Sequence, residues 1–254
     1  MRSLIAFPCA GETLLGTLDA APGTTGLVIV SGGNEIRCGA HRGMALLAET
    51  IAAHGHPVFR YDRRGIGDSS GINRGFLSTE ADLVAATAAF RTAQPHVTRL
   101  IAFGNCDAAS TLALFGRAAG IDRLLLANPW LVEATDDLPP PAAIRAHYAR
   151  RLRDPRQWLR LLSGGIDLSK AVRGLRRSTD RAPLPPLAAR IIAGIESWGP
   201  DARILLAERD ATAIAFHAAT PHLPVTTIPT ASHSFARDAD KAALLQMVLA
   251  FVAG

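Results

Sequence analysis

The chain has 254 residues, 48% of them hydrophobic and 19% charged, with 22 Gly, 16 Pro, 3 Cys and a formal net charge of +5. That apolar content with so modest a charge excludes a disordered chain, the glycine count excludes collagen, and three cysteines are too few for a disulfide scaffold. A globular chain of this length buries roughly 70–75% of its unfolded surface and needs neither metal nor disulfide to hold it together.

The predicted elements begin with a hairpin, residues 4–9 and 14–18, joined by Ala10-Gly11-Glu12-Thr13. Residues 27–30, 57–61, 99–103, 123–127, 203–207 and 225–228 then give four or five residues each without polar alternation, as strands covered on both faces do. Between them, residues 42–54, 79–93, 107–119, 211–219 and 238–252 are rich in Ala, Leu and Met and predict helices. The fold class is therefore α/β, a mostly parallel sheet covered by helices and preceded by an N-terminal hairpin.

Cys9, Cys38 and Cys106 form no Cys-x-x-Cys pair and cannot all pair with one another, so reduced thiols and a cytoplasmic location are expected. The apolar opening, Met1 to Pro8, is too short for a signal-peptide core, and no run reaches the roughly eighteen apolar residues of a membrane span. The positive charge is almost all arginine and unevenly placed. Between Pro140 and Arg181, eleven basic residues face three acidic ones, so this segment carries +8 of a total of +5 and leaves the remainder at −3. Proline clusters at 139–141 and 183–186 bound it and mark an insertion.

In open α/β sheets ligands gather at the carboxyl ends of the strands. After residues 99–103 comes Gly104-Asn105-Cys106-Asp107-Ala108, a Gly-x-Cys-x-Ala turn with the form of a nucleophile elbow in which cysteine replaces serine. The flanking residues must be small so that strand and helix can approach, and Gly104 and Ala108 are. Centring the turn on Asp107 would put Asn105 and Ala109 at the flanks and lose the glycine, so Cys106 is preferred. The bland alternative is a buried, inert thiol. A thiol of pKa ~8.5 needs a base, and the base needs an orienting acid. Asp210 follows the strand at 203–207 and His233 follows the last strand, giving the chain order nucleophile, acid, histidine; Glu208 is the rival acid. Ser31-Gly32-Gly33-Asn34-Glu35 ends the first parallel strand and offers backbone N–H groups. The oxyanion donors would be Gly33 or Asn34 together with Asp107, whose N–H follows the nucleophile. A plain tight turn is the alternative, and a dinucleotide site fails because the Gly-x-Gly-x-x-Gly spacing is missing.

Tyr61-Asp62-Arg63-Arg64-Gly65-Ile66-Gly67-Asp68-Ser69, Gly104-Asn105-Cys106-Asp107-Ala108 and the late His233-Ser234-Phe235 together resemble the α/β-hydrolase superfamily over essentially the whole chain. More narrowly, Ser31-Gly32-Gly33-Asn34, Asp62-Arg63-Arg64-Gly65, the Cys106 turn and Asp210-Ala211-Thr212-Ala213 resemble exosortase A system-associated hydrolase 1, a bacterial family tied to exopolysaccharide and protein-sorting gene clusters. The resemblance implies a hydrolase core over 1–130 and 201–254 with a basic helical lid over 131–200, and assigns no catalytic role to residues 62–69. The expected activity is hydrolysis of an activated ester or thioester by Cys106, His233 and Asp210, without cofactor or metal. The alternatives are acyl transfer at the same site and a non-catalytic binding scaffold. Trp130, Arg150, Arg151 and Arg153 are the candidate substrate-binding residues, and Trp158 and Trp198 could also line an acyl pocket or belong to the lid core. The expected partner is a small-molecule or saccharide-linked acyl substrate. The basic lid either contacts an anionic substrate or a membrane surface, or is a solvated set of helices; no motif accompanies it that would suit nucleic acid.

Overall fold

The apolar runs without alternation become the strands of one sheet. A computed structural model describes residues 1–132 and 184–254. Its strands are β1 (Arg2–Cys9), β2 (Glu12–Asp19), β3 (Thr25–Val30), β4 (Val58–Tyr61), β5 (Arg99–Asn105), β6 (Arg123–Ala127), β7 (Ala202–Ala207) and β8 (Val225–Ile228), in the order β1-β2-β4-β3-β5-β6-β7-β8. β2 runs antiparallel to both β1 and β4, and the other pairings are parallel. The helices among the described residues are α1 (Gly43–Ala53), α2 (Glu80–Ala93), α3 (Asp107–Phe115), α4 (Pro186–Ser197), α5 (Ala211–Ala219) and α6 (Asp238–Ala253). This is the α/β-hydrolase fold.

Both faces of the sheet are buried, which is why its central strands show no polar alternation. Leu27 and Ile29 of β3 pack with Ile51 of α1 and with Val248 and Phe251 of α6. Val28 and Val30 pack on the opposite face with Phe90 of α2 and Leu112 of α3. The same face receives Leu187, Ile191 and Ile195 of α4, and Trp198 beyond it is 2% exposed with its indole N–H on Ala113 O at 3.2 Å. Residues 186–200, expected within the lid, therefore belong to a layer of the core. The signal was the apolar spacing 187, 191, 192 and 195, a helical stripe hidden behind Pro185-Pro186. Proline there opens the helix instead of ending one, because a first-turn N–H is unpaired anyway. The remainder of the expected lid, 133–183, lies outside the described residues.

The turn after β4 is knitted by buried carboxylates. Asp62, 1% exposed, accepts from the Arg37 N–H at 2.6 Å, from the Arg37 guanidinium and from Asp68 N–H at 3.1 Å. Asp82 of α2, also 1% exposed, accepts from the N–H and the guanidinium of Arg64 and from Cys9 Sγ at 3.5 Å. Burial, and then the Asp82 charge, push the Cys9 thiol up to about 11. An Asp82→Ala substitution strands the Arg64 donors and should lower stability by about 2–3 kcal/mol, read as a lower urea midpoint at unchanged slope.

Candidate active site

β5 ends at Asn105, and Cys106 makes the turn into α3 with φ 63° and ψ −128°. A non-glycine residue held there stores about 1–3 kcal/mol of strain, so the surroundings must over-determine it. They do so from both sides. Cys106 N–H continues the ladder to Ala127 O at 3.0 Å, and its own carbonyl accepts from Ala109 N–H at 3.1 Å. A Cβ on Gly104 would lie 2.8 Å from the Ala108 backbone, and one on Gly32 would lie 3.3 Å from Cys106 Cβ. The small residues flanking the cysteine are thus a packing requirement of this turn.

Asp210 reaches the site because it caps α5. Its Oδ2 accepts from Thr212 N–H at 2.9 Å and Ala213 N–H at 3.0 Å, leaving Oδ1 to accept from His233 Nδ1 at 3.0 Å. The Cys106 thiol is a second neighbour of the His233 imidazole and helps to raise it. Cys106, His233 and Asp210 are therefore brought together, while Glu208 is exposed one turn earlier. The hydrogen bond to Asp210, followed by the neighbouring Cys106 thiol, pushes the imidazole up to about 10 against the opposing effect of burial. Burial alone would raise the Asp210 carboxyl, but the hydrogen bond and charge of His233 and the two helix N–H groups outweigh it and hold it below the usual range.

The histidine loop is fixed by residues that local sequence pattern does not reveal. Asn105 Nδ2 donates to His233 O at 3.0 Å, and Asn128 Nδ2 donates to Asn105 Oδ1 at 2.9 Å and to His233 O at 3.3 Å. Asn128 Oδ1 accepts from Ala207 N–H at 2.8 Å, and the residue is fully buried at φ 43°, where asparagine is better tolerated than most side chains. The available signal was the pair of amides at the carboxyl ends of two central strands. Further out, Thr230 donates to Asp240 Oδ2 at 2.7 Å and accepts from Ser232 N–H at 3.0 Å, tying the loop to α6.

Of the expected oxyanion donors, Gly33 is exposed at φ 56° in a turn closed by Glu35 N–H on Gly32 O at 3.0 Å. Its N–H donates to Asp107 Oδ1 at 2.6 Å. Asn34 turns its side-chain oxygen to the Asn73 amide at 2.9 Å. Asp107 is the first residue of α3, so its N–H has no partner within the helix. Arg63, to which no role was assigned, enters this region and donates to Gly33 O. Trp130 is half-buried beside the turn, its N–H near Ser110 Oγ at 3.1 Å and Cys106 O at 3.3 Å. Trp198 is instead core between α3 and α4. Arg150, Arg151, Arg153 and Trp158 lie outside the described residues. Among those described, no group of three His, Cys, Asp or Glu is placed to hold a metal, and no helix is long and apolar enough to cross a membrane.

No protein-family model matches the chain, and no curated protein matches it in sequence. Solved structures do match. The chain is similar to the α/β hydrolase GrgF from Penicillium sp. sh18, with 18% identity over 99% of this chain and 98% of that one and a TM-score of 0.64. It is similar to an esterase of Pyrococcus furiosus, with 14% identity, 100% and 90% coverage and a TM-score of 0.64. A thioesterase domain from the curacin biosynthetic pathway matches at 14% identity, 98% and 99% coverage and a TM-score of 0.61.

A histidine raised in the folded state contributes stability that is complete below its unfolded value near 6.5 and is lost as the pH climbs toward about 10. Asp210, held low, contributes above its unfolded value and loses that contribution in acid. In an NMR titration His233 should therefore protonate well above pH 8 in the parent and drop toward 6.5 in Asp210→Asn. The parent's advantage in thermal stability over that variant should shrink as the pH rises from 6.5 to 10. A flat difference across that window would contradict the pairing.

Proposed function

We infer that the protein is an acyl hydrolase of the esterase or thioesterase type, with Cys106 as nucleophile, His233 as proton carrier and Asp210 as its orienting acid. The observation that carries this is the His233 imidazole held on Asp210 at 3.0 Å and raised by its neighbour Cys106, a cysteine held at φ 63° on a strand-to-helix turn. The named hydrolase, esterase and thioesterase neighbours share the fold and support the reaction class.

In this mechanism the Cys106 proton passes to His233, and the sulfur attacks the acyl carbon while the carbonyl pair becomes an oxyanion facing the Gly33 and Asp107 N–H groups. The oxyanion collapses and expels the alcohol or thiol, which takes the proton from the imidazolium. Water then gives its proton to His233, attacks the thioester carbon and releases the acid with regeneration of the thiol. A sulfur nucleophile suits activated acyl groups, so thioesters, lactones and reactive esters are better substrates than peptides. If an alcohol or amine replaced water, the same steps would give acyl transfer. The motif resemblance to exosortase A system-associated hydrolase 1 supports a saccharide-linked acyl substrate in exopolysaccharide metabolism, and the three free cysteines favour a reducing, cytoplasmic setting. Arg150, Arg151 and Arg153 would draw an anionic portion of it toward the thiol, and Trp130 would flank the acyl chain.

Iodoacetamide at pH 7 should alkylate Cys106 about a hundredfold faster than Cys9, whose thiol is buried and raised, and well ahead of Cys38. His233→Ala should remove that preference. On a panel of acyl thioesters and nitrophenyl esters, Cys106→Ala should lose about 10³-fold or more of kcat. Equal labelling of all three thiols, or turnover that survives Cys106→Ala, would sink the assignment.

A further inference from the structure

Two charged side chains in the site take no part in the steps above. Arg63 is 3% exposed; its Nη2 donates to Gly33 O, and its Nη1 is buried with no hydrogen-bond partner among the described residues. Asp107 folds its carboxylate back over the Gly32-Gly33 turn. There Oδ1 accepts from Gly33 N–H at 2.6 Å and Oδ2 lies 3.7 Å from Arg63 Nη1. A Cβ added to Gly32 would come 2.8 Å from that same Oδ1, so the glycine leaves room for the carboxylate as well as for the nucleophile.

An oxyanion held by the Gly33 and Asp107 N–H groups must accept from Gly33 at the place where Asp107 Oδ1 now sits. One N–H carries one proton, and a carboxylate left beside a developing oxyanion repels it. Resting on the Cys106 reading, we propose that the Asp107 carboxylate is an internal plug of the oxyanion site, which the acyl carbonyl displaces onto the unpartnered Nη1 of Arg63. Arg63 is then a positioning residue that acts through Asp107. The travel required is small. Closing Oδ2 to Nη1 from 3.7 Å to the ~2.8 Å of a charge-assisted hydrogen bond needs about 1 Å, within reach of a side-chain rotation. The arrangement keeps the Gly33 donor occupied until a strong acceptor arrives, and it explains why a guanidinium nitrogen with no partner is tolerated so deep beside the nucleophile.

The test uses 4-nitrophenyl butyrate for turnover and butanal as a reversible ligand. The sulfur adds to the aldehyde carbon, and the carbonyl oxygen becomes an oxyanion that takes the His233 proton to give a neutral thiohemiacetal. Asp107→Ala and Asp107→Ser both keep the backbone N–H, and each should bind butanal about tenfold more tightly and raise kcat/KM about tenfold. Arg63→Met should weaken butanal and lower kcat/KM by about tenfold, Arg63→Lys should restore most of that loss, and Arg63→Met added to Asp107→Ala should change neither quantity by more than about twofold. Asp107 variants that bind butanal no better than the parent overturn the plug. A full Arg63→Met loss that persists in the Asp107→Ala background overturns the coupling, since Arg63 would then act on the loop or the substrate directly. Thermal melts of both Asp107 variants report folding, and either one alone carries the comparison. If no variant, parent included, shows Cys106-dependent turnover, the catalytic reading fails and takes the plug with it. Cys106-dependent turnover without the Asp107 effect removes the plug alone.

Discussion

The backbone of Cys106 is the constraint on which the site depends. At φ 63° it sits in a conformation that costs about 1–3 kcal/mol, and no contact of its own side chain restores that. The strain is offset by what lies on either side: β5, fixed between β3 and β6, and α3, which buries Ala108, Ala109, Leu112 and Phe115. Because strand and helix are both anchored in the core, the turn between them has no freedom to relax. The same geometry explains the composition around it, since the close approach of strand to helix and of the Gly32 loop to the cysteine leaves no room for larger residues at 32 or 104.

The second arm of the site is positioned by polar groups buried at strand ends. His233 is held twice, by its side chain on Asp210 and by its carbonyl on Asn105 and Asn128. The carbonyl contacts matter because a side-chain hydrogen bond orients an imidazole but does not locate its loop. Asn105 immediately precedes the cysteine and Asn128 follows Ala127, whose carbonyl takes the Cys106 N–H, so the histidine loop is referenced to the same two strands that hold the cysteine. Relative placement of thiol and imidazole is therefore a property of the sheet.

Much of this was legible in the sequence because it follows from local rules. Uninterrupted apolar runs placed the strands to within two residues, the Gly-x-Cys-x-Ala spacing located the turn, and the position of Asp210 beyond the end of a strand pointed to it; that its carboxylate also caps α5 was not foreseen. What stayed hidden depends on long-range contact. Asn105 and Asn128 look like ordinary turn residues until β5 and β6 are paired, and Arg63 lies in a segment whose neighbours Asp62 and Arg64 are purely structural. Residues 186–197 were misplaced for a different reason: proline-rich sequence reads as a boundary, and only the packing of Ile191 and Ile195 beneath α3 shows on which side of it they fall.

Two charge pairs flank the turn at Cys106. On one side of the turn the His233 imidazole is pushed up to about 10, first by the hydrogen bond to Asp210, so the carboxylate holds the proton on the ring. At the Gly32-Gly33 turn stands a second charge pair, Asp107 and the buried Arg63, 3.7 Å apart. A carboxylate left beside a developing negative charge would oppose it, so in the proposed reaction Asp107 has to turn aside, and the guanidinium next to it is the group placed to receive it.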